Sequence, residues 1–538
     1  MSRKALYDKA SLRLQSESGT VQKDPGGKAR VCLVYPNSYS VGMSSLGYLS
    51  VHSMLNRRAD VFCERAFLPD GQDMEEYART STPVFSMETG SSLGDFDIIA
   101  FSVSFENDYP NVLRVLELSG IPLRTSSRGP RHPLVVMGGV CAFSNPEPLA
   151  DFMDIVFVGE AEGMLDEFMD KCLSSQERGD LLVRASAIEG LYVPSFYEVS
   201  HTPEGTIKGR RTLKEAPEKI KRRYAKNIWE CPATQLITTP EAEFSGMRLV
   251  EVQRGCPWNC RFCLAGKVFD PPRKKPVNAL LSEISAIRQE ADREGGTGPK
   301  KDQKIGLIGP SLGDYPHLAD ALDIEGVDFT ITSLRASRDS AELVRMMGGR
   351  RSVSIAPEAG SQRLRDDIGK KVLREDILEA AGMLLEGGLE RLRLYFMVGL
   401  PTETDEDVDA IVDLAGEIRG LSRKGKINLT LSVFVPKPFT YFEREPMAHS
   451  ATLKSRLRRL KDGIRRLGGV SMSHDPVKDA FKQGVLAQGD RRVGRALELL
   501  TSSVGYVKAL KEAGLDPAFY VHRSKSEEEP LPWDFIEP

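Results

Sequence analysis

The chain has 538 residues, enough for three or four domains at roughly 150 residues each. Hydrophobic residues make up 41% and charged residues 28%, and 47 Gly with 32 Pro exclude a collagen-like or low-complexity chain. A net charge of −3 excludes a strongly basic polymer-coating protein, no apolar run approaches the roughly 18 residues of a membrane span, and the polar start has no signal-peptide core; the expectation is a soluble cytoplasmic protein.

Residues 1–28 read as a polar arm ending at Gly26–Gly27. From residue 29, apolar runs of strand length (Val31–Tyr35, Asp97–Ser104, Pro133–Met137, Asp154–Val158) alternate with helical stretches (Ser44–Asn56, Asn107–Ser119, Glu160–Leu173). That alternation predicts an α/β unit, a doubly wound Rossmann-like parallel sheet over 29–175. Residues 176–245 are less regular and read as a linking region with some strand. A second alternation fills 246–445, with strands expected at Met247–Arg254, Lys304–Gly309, Asp328–Ser333, Ser352–Pro357, Leu392–Gly399 and Asn428–Val435. The spacers carry helical patterns at Asn278–Arg293, Tyr315–Leu322, Ser340–Met347, Arg374–Glu386 and Asp405–Arg419, which predicts a partial six-strand (β/α) TIM-like barrel. Residues 446–538 read as a mainly helical extension to Ala513, stopped by Gly514, and then a fraying Pro- and Glu-rich tail.

Five of the eight cysteines (Cys32, Cys63, Cys141, Cys172 and Cys231) are scattered and read as small buried apolar side chains. The other three, Cys256, Cys260 and Cys263, follow the first barrel strand directly, and barrels place active sites at that face. Structural zinc takes four ligands, and no fourth Cys or paired His lies close by. Three thiolates with one vacant position suit a 4Fe-4S cluster with an open iron. Gly255 lets the chain turn tightly before them, and Phe262 can shield the cluster from solvent.

The segment Cys256-Pro257-Trp258-Asn259-Cys260-Arg261-Phe262-Cys263 resembles the C-x3-C-x-aromatic-C motif of the radical S-adenosylmethionine superfamily, and the resemblance extends over 247–435. It implies that Cys256, Cys260 and Cys263 ligate a 4Fe-4S cluster whose open iron chelates S-adenosyl-L-methionine. The cluster then cleaves that cofactor reductively to a 5′-deoxyadenosyl radical, drawing on a reduced flavodoxin or ferredoxin-type electron donor. Carried over as cofactor-binding positions are Phe262, Gly309 and Ser311 after the second strand, Glu358, Ser361 and Arg363 after the fourth, and Gly399 after the fifth. Read from the residues alone, each keeps an ordinary alternative: a strand-to-helix turn for Gly309–Ser311, helix capping or surface roles for Glu358, Ser361 and Arg363, and turn geometry for Gly399.

The upstream unit resembles the cobalamin-binding domain fused to many members of that superfamily. Its implied contacts lie in the loops at the carboxyl ends of the strands: Asn37, Ser102, Ser104, Gly138, Gly139 and Glu160. The signature D-x-H-x-x-G is absent, so no lower axial ligand is named, and the sheet alternatively only packs on the barrel or binds substrate. Glu64–Phe67, Asp97–Ser102, Asn145–Pro148, Glu358–Gly360 and Gly489–Val493 extend the likeness to superfamily members that carry such a domain. The implied activity is cobalamin-dependent methyl transfer to an unactivated carbon. The alternatives are a cobalamin-independent rearrangement, cyclisation or sulfur insertion, and a non-catalytic cluster- or nucleotide-binding module. The substrate, RNA or a small molecule, stays open. Ser455–Leu467 reads as an amphipathic helix with a basic face, either solvated or contacting RNA, and no membrane contact is expected.

Overall fold

The apolar runs become strands in the computed structural model, which describes residues 3–21, 23–175, 177–230, 237–294, 303–315, 318, 322, 324, 326–331, 334–346, 352–422, 424–501 and 504–538. Cys231 and parts of the expected elements Tyr315–Leu322, Asp328–Ser333 and Ser340–Met347 lie outside the described residues. The first sheet holds β1 (Ala29–Tyr35), β2 (Val61–Phe67), β3 (Ile98–Ser102), β4 (Leu134–Gly138), β5 (Ile155–Phe157) and β6 (Leu191–Tyr192) in the order β2-β1-β3-β4-β5-β6. β1 to β5 are parallel and β6 is antiparallel to β5. This doubly wound order reverses between β1 and β3, and ligands of such sheets sit at the carboxyl ends beside that reversal.

β2 is the strand that hydrophobicity alone does not reveal, because Glu64 and Arg65 interrupt it, yet all seven residues are buried. Arg65 sits between Glu17 (2.7 Å) and Glu88 (2.6 Å), while Glu64 pairs with Arg30 at 2.9 Å. Buried charges are tolerated when they are paired in this way. Glu17 follows the helix Arg3–Ser16, so the segment expected to be a polar arm is instead part of the domain. Tyr7 stacks on Phe85 with centroids 4.2 Å apart, and Lys9 bridges Asp70 (3.0 Å) and Asp73 (2.6 Å). The linking region carries the helix Arg178–Ser186, the hairpin β7 (Tyr197–His201) and β8 (Ile207–Thr212), and β9 (Ile220–Lys221).

Next come β10 (Arg248–Glu251), then β11 (Gln253–Arg254) and β12 (Arg273–Lys274), a short antiparallel pair that closes the base of the cysteine loop. β10, β13 (Gln303–Ile308) and β14 (Val327–Ile331) form one parallel sheet. β15 (Ser352–Glu358), β16 (Arg391–Val398), β17 (Lys426–Val433) and β18 (Val470–His474) form a second, and a parallel bridge between Leu334 and Ile355 joins the two. All six expected strands are present in order. β18 adds a seventh parallel strand from the segment expected to be helical; its Val-Ser-Met-Ser-His sequence has no continuous apolar run to announce it.

The extension is otherwise helical, and Gly514 (φ +74°) follows the helix Tyr506–Glu512. Beyond it the chain does not fray. Leu531, Trp533, Phe535 and Ile536 are buried, β19 (Ile536–Glu537) pairs with β9, and the Arg210 guanidinium lies 3.8 Å from the Phe535 ring centroid. A few apolar residues suffice to dock a polar tail when each one is buried. Among the described residues no helix is long and apolar enough to cross a membrane.

Candidate active site at the barrel mouth

Gly255 opens the cysteine loop at φ +78°, and a Cβ there would stand 2.3 Å from the Phe269 carbonyl, so only glycine fits. Asn259 takes the left-handed conformation (φ 53°), the Arg261 N–H bonds the Ile368 carbonyl at 2.9 Å, and a short helix, Ala265–Val268, ends the loop. Cys256, Cys260 and Cys263 are half-buried free thiols. Burial pushes Cys260 up to about 11, and Lys370 opposes it; burial also raises Cys263, against backbone N–H groups of Gly266 and Ala265 that donate to its sulfur. Cys260 feels the charge of Cys263 and Cys256, and Cys263 that of Cys256. Among the described residues no three His, Cys, Asp or Glu side chains converge on a point that would hold a single ion. Three free thiols on one loop are the donor set of a cubane, which puts each thiolate on a different iron.

The expected cofactor-binding residues fall into two groups. Phe262 packs on the small apolar cluster of Ala359, Leu364, Ile368 and Leu400 beside the loop. Glu358, the last residue of β15, sits at φ +68° after a break in strand register; its carboxylate meets Lys370 at 3.1 Å and acts on Cys260 and Cys263. A non-glycine residue held in that conformation at a strand end is strain of the kind found at functional sites. Gly309 lines a cavity described below, where a Cβ would meet Leu312 at 2.8 Å.

The rest are spent on the scaffold. Ser311 bonds Asp314, and both accept from the Trp258 indole, at 3.0 and 2.6 Å, which fixes the cysteine loop against β13. Arg335 stacks on the same indole, 3.5 Å from its ring centroid. Ser361 caps its helix by accepting from Leu364 N–H and also donates to Asp407. Arg363 pairs with Asp407 too, so both tie the loop after β15 to the helix after β16. Gly399 (φ +87°) makes way for Leu453, which would lie 2.7 Å from a Cβ at that position, and donates its N–H to Glu403 at 2.7 Å.

On the N-terminal side, a cavity of about 500 Å³ opens between the sheet and the helices Leu46–Arg57 and Met164–Leu173. Val31, Leu33, Ala100, Val136 and Phe157 form its floor, and Ser102, Ser104 and Gly138 lie at its mouth. Its far wall is barrel: Gln253, Gly255, Phe269 and Gly309. A mostly apolar cleft, whose charged lining (Glu160, Glu162, Glu251 and Arg254) is paired within itself, fits a large ligand with an apolar part. Gly139 lines it as well, but a Cβ would lie 2.6 Å from the Val103 carbonyl, so its glycine is already required by packing. Glu160 has no oxygen to spare: Arg273 bonds both (2.7 and 2.8 Å), and Arg254 and the Ala225 N–H take the second, each at 2.8 Å. Burial raises its pKa, but these partners prevail and hold the carboxyl below its usual range. Glu160 therefore staples the N-terminal domain to β11 and β12, the base of the cysteine loop.

Asn37 lies elsewhere, bonded to Asp108 at 2.9 Å in the wall of a second chamber of about 770 Å³ that also touches Phe262 and Cys263. Asp108 and Lys482, both in that wall, carry no motif; only the position of Asp108, just past the apolar run of β3, hinted at a site. The Asn145–Pro148 and Gly489–Val493 segments meet each other. Asn145 bonds the carbonyls of Ala487 (3.0 Å) and Gly489 (2.8 Å), and buried Glu147 receives Tyr192 (2.6 Å) and Arg491 (3.3 Å). Asp490 pairs with Arg492 at 2.6 Å. The basic helix Ser450–Ile464 buries Leu453, Leu457, Leu460 and Ile464, while Arg456 and Arg459 pair with Glu403, Asp405 and Asp409.

Comparison with known proteins gives these features a context. Residues 250–415 match the family described as Radical SAM superfamily, and residues 47–194 match Radical SAM proteins, N-terminal. An uncharacterised protein of Methanocaldococcus jannaschii is 29% identical over 487 residues, 90% of this chain and 94% of the relative. An uncharacterised methyltransferase of Pyrococcus horikoshii is 25% identical over 301 residues, 53% of this chain and 58% of its own. Among solved structures, the cobalamin-dependent S-adenosylmethionine radical enzyme OxsB, with aqua-cobalamin and S-adenosylmethionine bound, aligns with a TM-score of 0.45 at 15% identity, over 72% of this chain and 52% of that one.

Proposed function

The chain belongs to the radical S-adenosylmethionine superfamily, and we propose that it couples reductive cleavage of S-adenosylmethionine to cobalamin-dependent methyl transfer onto an unactivated carbon. One observation carries this reading: the apolar cleft of the N-terminal domain runs without interruption to the base of the cysteine loop, so a ligand held by the first domain reaches the second. The methyltransferase description of the Pyrococcus horikoshii relative points the same way. When bound, the cluster supplies the electron that opens the sulfonium C–S bond, and the corrinoid supplies a transferable methyl group.

The residues divide the remaining work. Cys256, Cys260 and Cys263 would hold the cluster as thiolates, and burial, which lifts Cys260 to about 11, would make its ionisation depend on the metal. Phe262 excludes water from one side of the loop, and Glu358, oriented by Lys370, presents a carboxylate oxygen to the polar end of S-adenosylmethionine. Ser102, Ser104 and Gly138 leave room for a macrocycle at the cleft mouth, whose apolar floor receives its nucleotide tail. Glu160 acts through Arg254 and Arg273 as a positioning residue. The proposed electron donor is a reduced flavodoxin or ferredoxin-type protein, and the proposed compartment is the cytoplasm.

Anaerobic reconstitution followed by electron paramagnetic resonance tests the reading. The cluster signal is expected to change on adding S-adenosylmethionine, and dithionite then to yield 5′-deoxyadenosine. A signal indifferent to that nucleotide overturns the proposal; protein that never retains a corrinoid absorption band removes the methyl-transfer half.

A further inference from the structure

The second chamber is built from distant parts of the chain: Asn37 after β1, residues 105–108 after β3, residues 262–264 of the cysteine loop, the ends of β16 and β17, and the segment 475–483 of the extension. Met397, Val433, Phe434 and Val435 make an apolar wall next to Phe262 and Cys263. The same lining carries charges with unequal commitments: Asp475 and Asp479, with Asp108, Lys437 and Lys482. Lys437 is spent on Glu106, whose other oxygen accepts from Gln483 at 3.0 Å. Lys482 is not spent: it is half-buried, makes one long bond to the Asn107 carbonyl (3.4 Å) and, among the described residues, reaches no carboxylate at ion-pair distance. Asp108 is 6% exposed; its Oδ1 accepts from Asn37 (2.9 Å) and Asn111 (3.1 Å), and its Oδ2 has no partner among the described residues.

Lys482 feels the field of Asp479 first and of Asp108 second, and Asp108 feels that of Lys482, with no ion pair among the described residues. Burial depresses the Lys482 ammonium and raises the Asp108 carboxyl, so each is held at a cost that direct pairing would relieve. A cation and an acceptor that line one cavity without an ion pair between them form a preorganised receptor for a ligand carrying the complementary charges. The apolar wall then takes the body of that ligand and brings its C–H bonds beside the cysteine loop.

We infer that this chamber is the substrate site and that it takes an α-amino acid with an apolar side chain, its carboxylate on Lys482 and its ammonium on Asp108 Oδ2. The inference rests on the reading of the barrel mouth as the place of reaction. S-adenosylmethionine has an amino-acid end of its own, so the test is made with that cofactor saturating.

Calorimetry on the anaerobically reconstituted full chain would compare L-leucine and L-phenylalanine with isoamylamine and phenethylamine, which lack the carboxylate, and with 4-methylpentanoate and 3-phenylpropanoate, which lack the ammonium. At least one amino acid is expected to bind ten-fold or more tighter than both of its truncated analogues. Lys482→Met is expected to erase the advantage over the amine, and Asp108→Asn the advantage over the acid. The inference is overturned if neither amino acid binds, if the analogues bind as well, or if S-adenosylmethionine competes for the same site. The analogue series uses the unaltered protein, so it decides the matter even if a variant does not fold. Release of 5′-deoxyadenosine by the unaltered protein reports separately on the functional reading: product without amino-acid binding sinks only the substrate class.

Discussion

The two chambers meet the same cysteine loop but are made in opposite ways. The N-terminal cleft has its floor and both flanks in one domain, between a sheet and two of its own helices, and the barrel supplies only its far wall. The second chamber has no owner: its walls come from residues separated by more than 300 positions, and it exists only while the extension is docked on both domains. Shape in the first follows from the core of one domain, whereas shape in the second follows from interdomain staples. The two can therefore be broken independently.

The largest effect is expected at the cysteines. Cys256→Ala, Cys260→Ala or Cys263→Ala should abolish cluster assembly, seen as loss of bound iron and a fall in 5′-deoxyadenosine yield of about a thousand-fold or more. Corrinoid retention should persist, because the cleft floor lies in the other domain. Loss of the corrinoid band in these variants would show that the cleft is not independent. Next comes the staple under the extension. Glu147 is buried with Tyr192, Arg210 and Arg491 around it, and Glu147→Leu takes the carboxylate from two half-buried guanidiniums, an effect worth about 3 kcal/mol. The melting temperature should fall and amino-acid binding in the second chamber should collapse, while corrinoid binding falls far less.

Whether a chamber can be read from sequence depends on the same difference. β1, β3 and β4 were legible as continuous apolar runs, and β16 and β17 as alternation of apolar with polar residues. The cysteine loop was legible because its three donors lie within one turn of chain. β2 was not, since Glu64 and Arg65 gain their partners only from Glu17, Glu88 and Arg30, residues that sequence spacing does not connect to it. Glu160 looked like a ligand contact because it ends a strand beside a cofactor cleft; that it faces two arginines from β11 and β12 is a tertiary fact. Lys482 has no local signature at all, since its meaning comes from sharing a chamber with Asp108, 374 positions away.

A smaller effect sharpens the contrast from the side of the cleft. Ala100 lies on its floor, and Ala100→Phe puts a ring into the space assigned to the corrinoid tail. Corrinoid affinity should drop about ten-fold or more, near the 1–3 kcal/mol that overpacking costs, with the cluster signal and amino-acid binding unchanged. Equal loss at both sites would mean that the two chambers communicate.

The smallest expected effect is one of pH, and it separates a binding carboxyl from a merely buried one. Burial raises Asp108 to about 6 from an ordinary 3.8, against the bonds from Asn37 and Asn111 and the charge of Lys482. The native chain therefore keeps a proton that the unfolded chain gives up between those values. Its stabilising contribution is complete below about 3.8 and is lost as pH rises through about 6, on the order of 2 kcal/mol after allowance for the open side of the chamber. Denaturant titrations of the unaltered protein should show that decline, and Asp108→Asn should flatten it. An ammonium ligand needs the ionised form, so amino-acid affinity should climb across the same interval in which stability falls. A carboxyl with only a structural role would show the decline in stability and no matching rise in affinity.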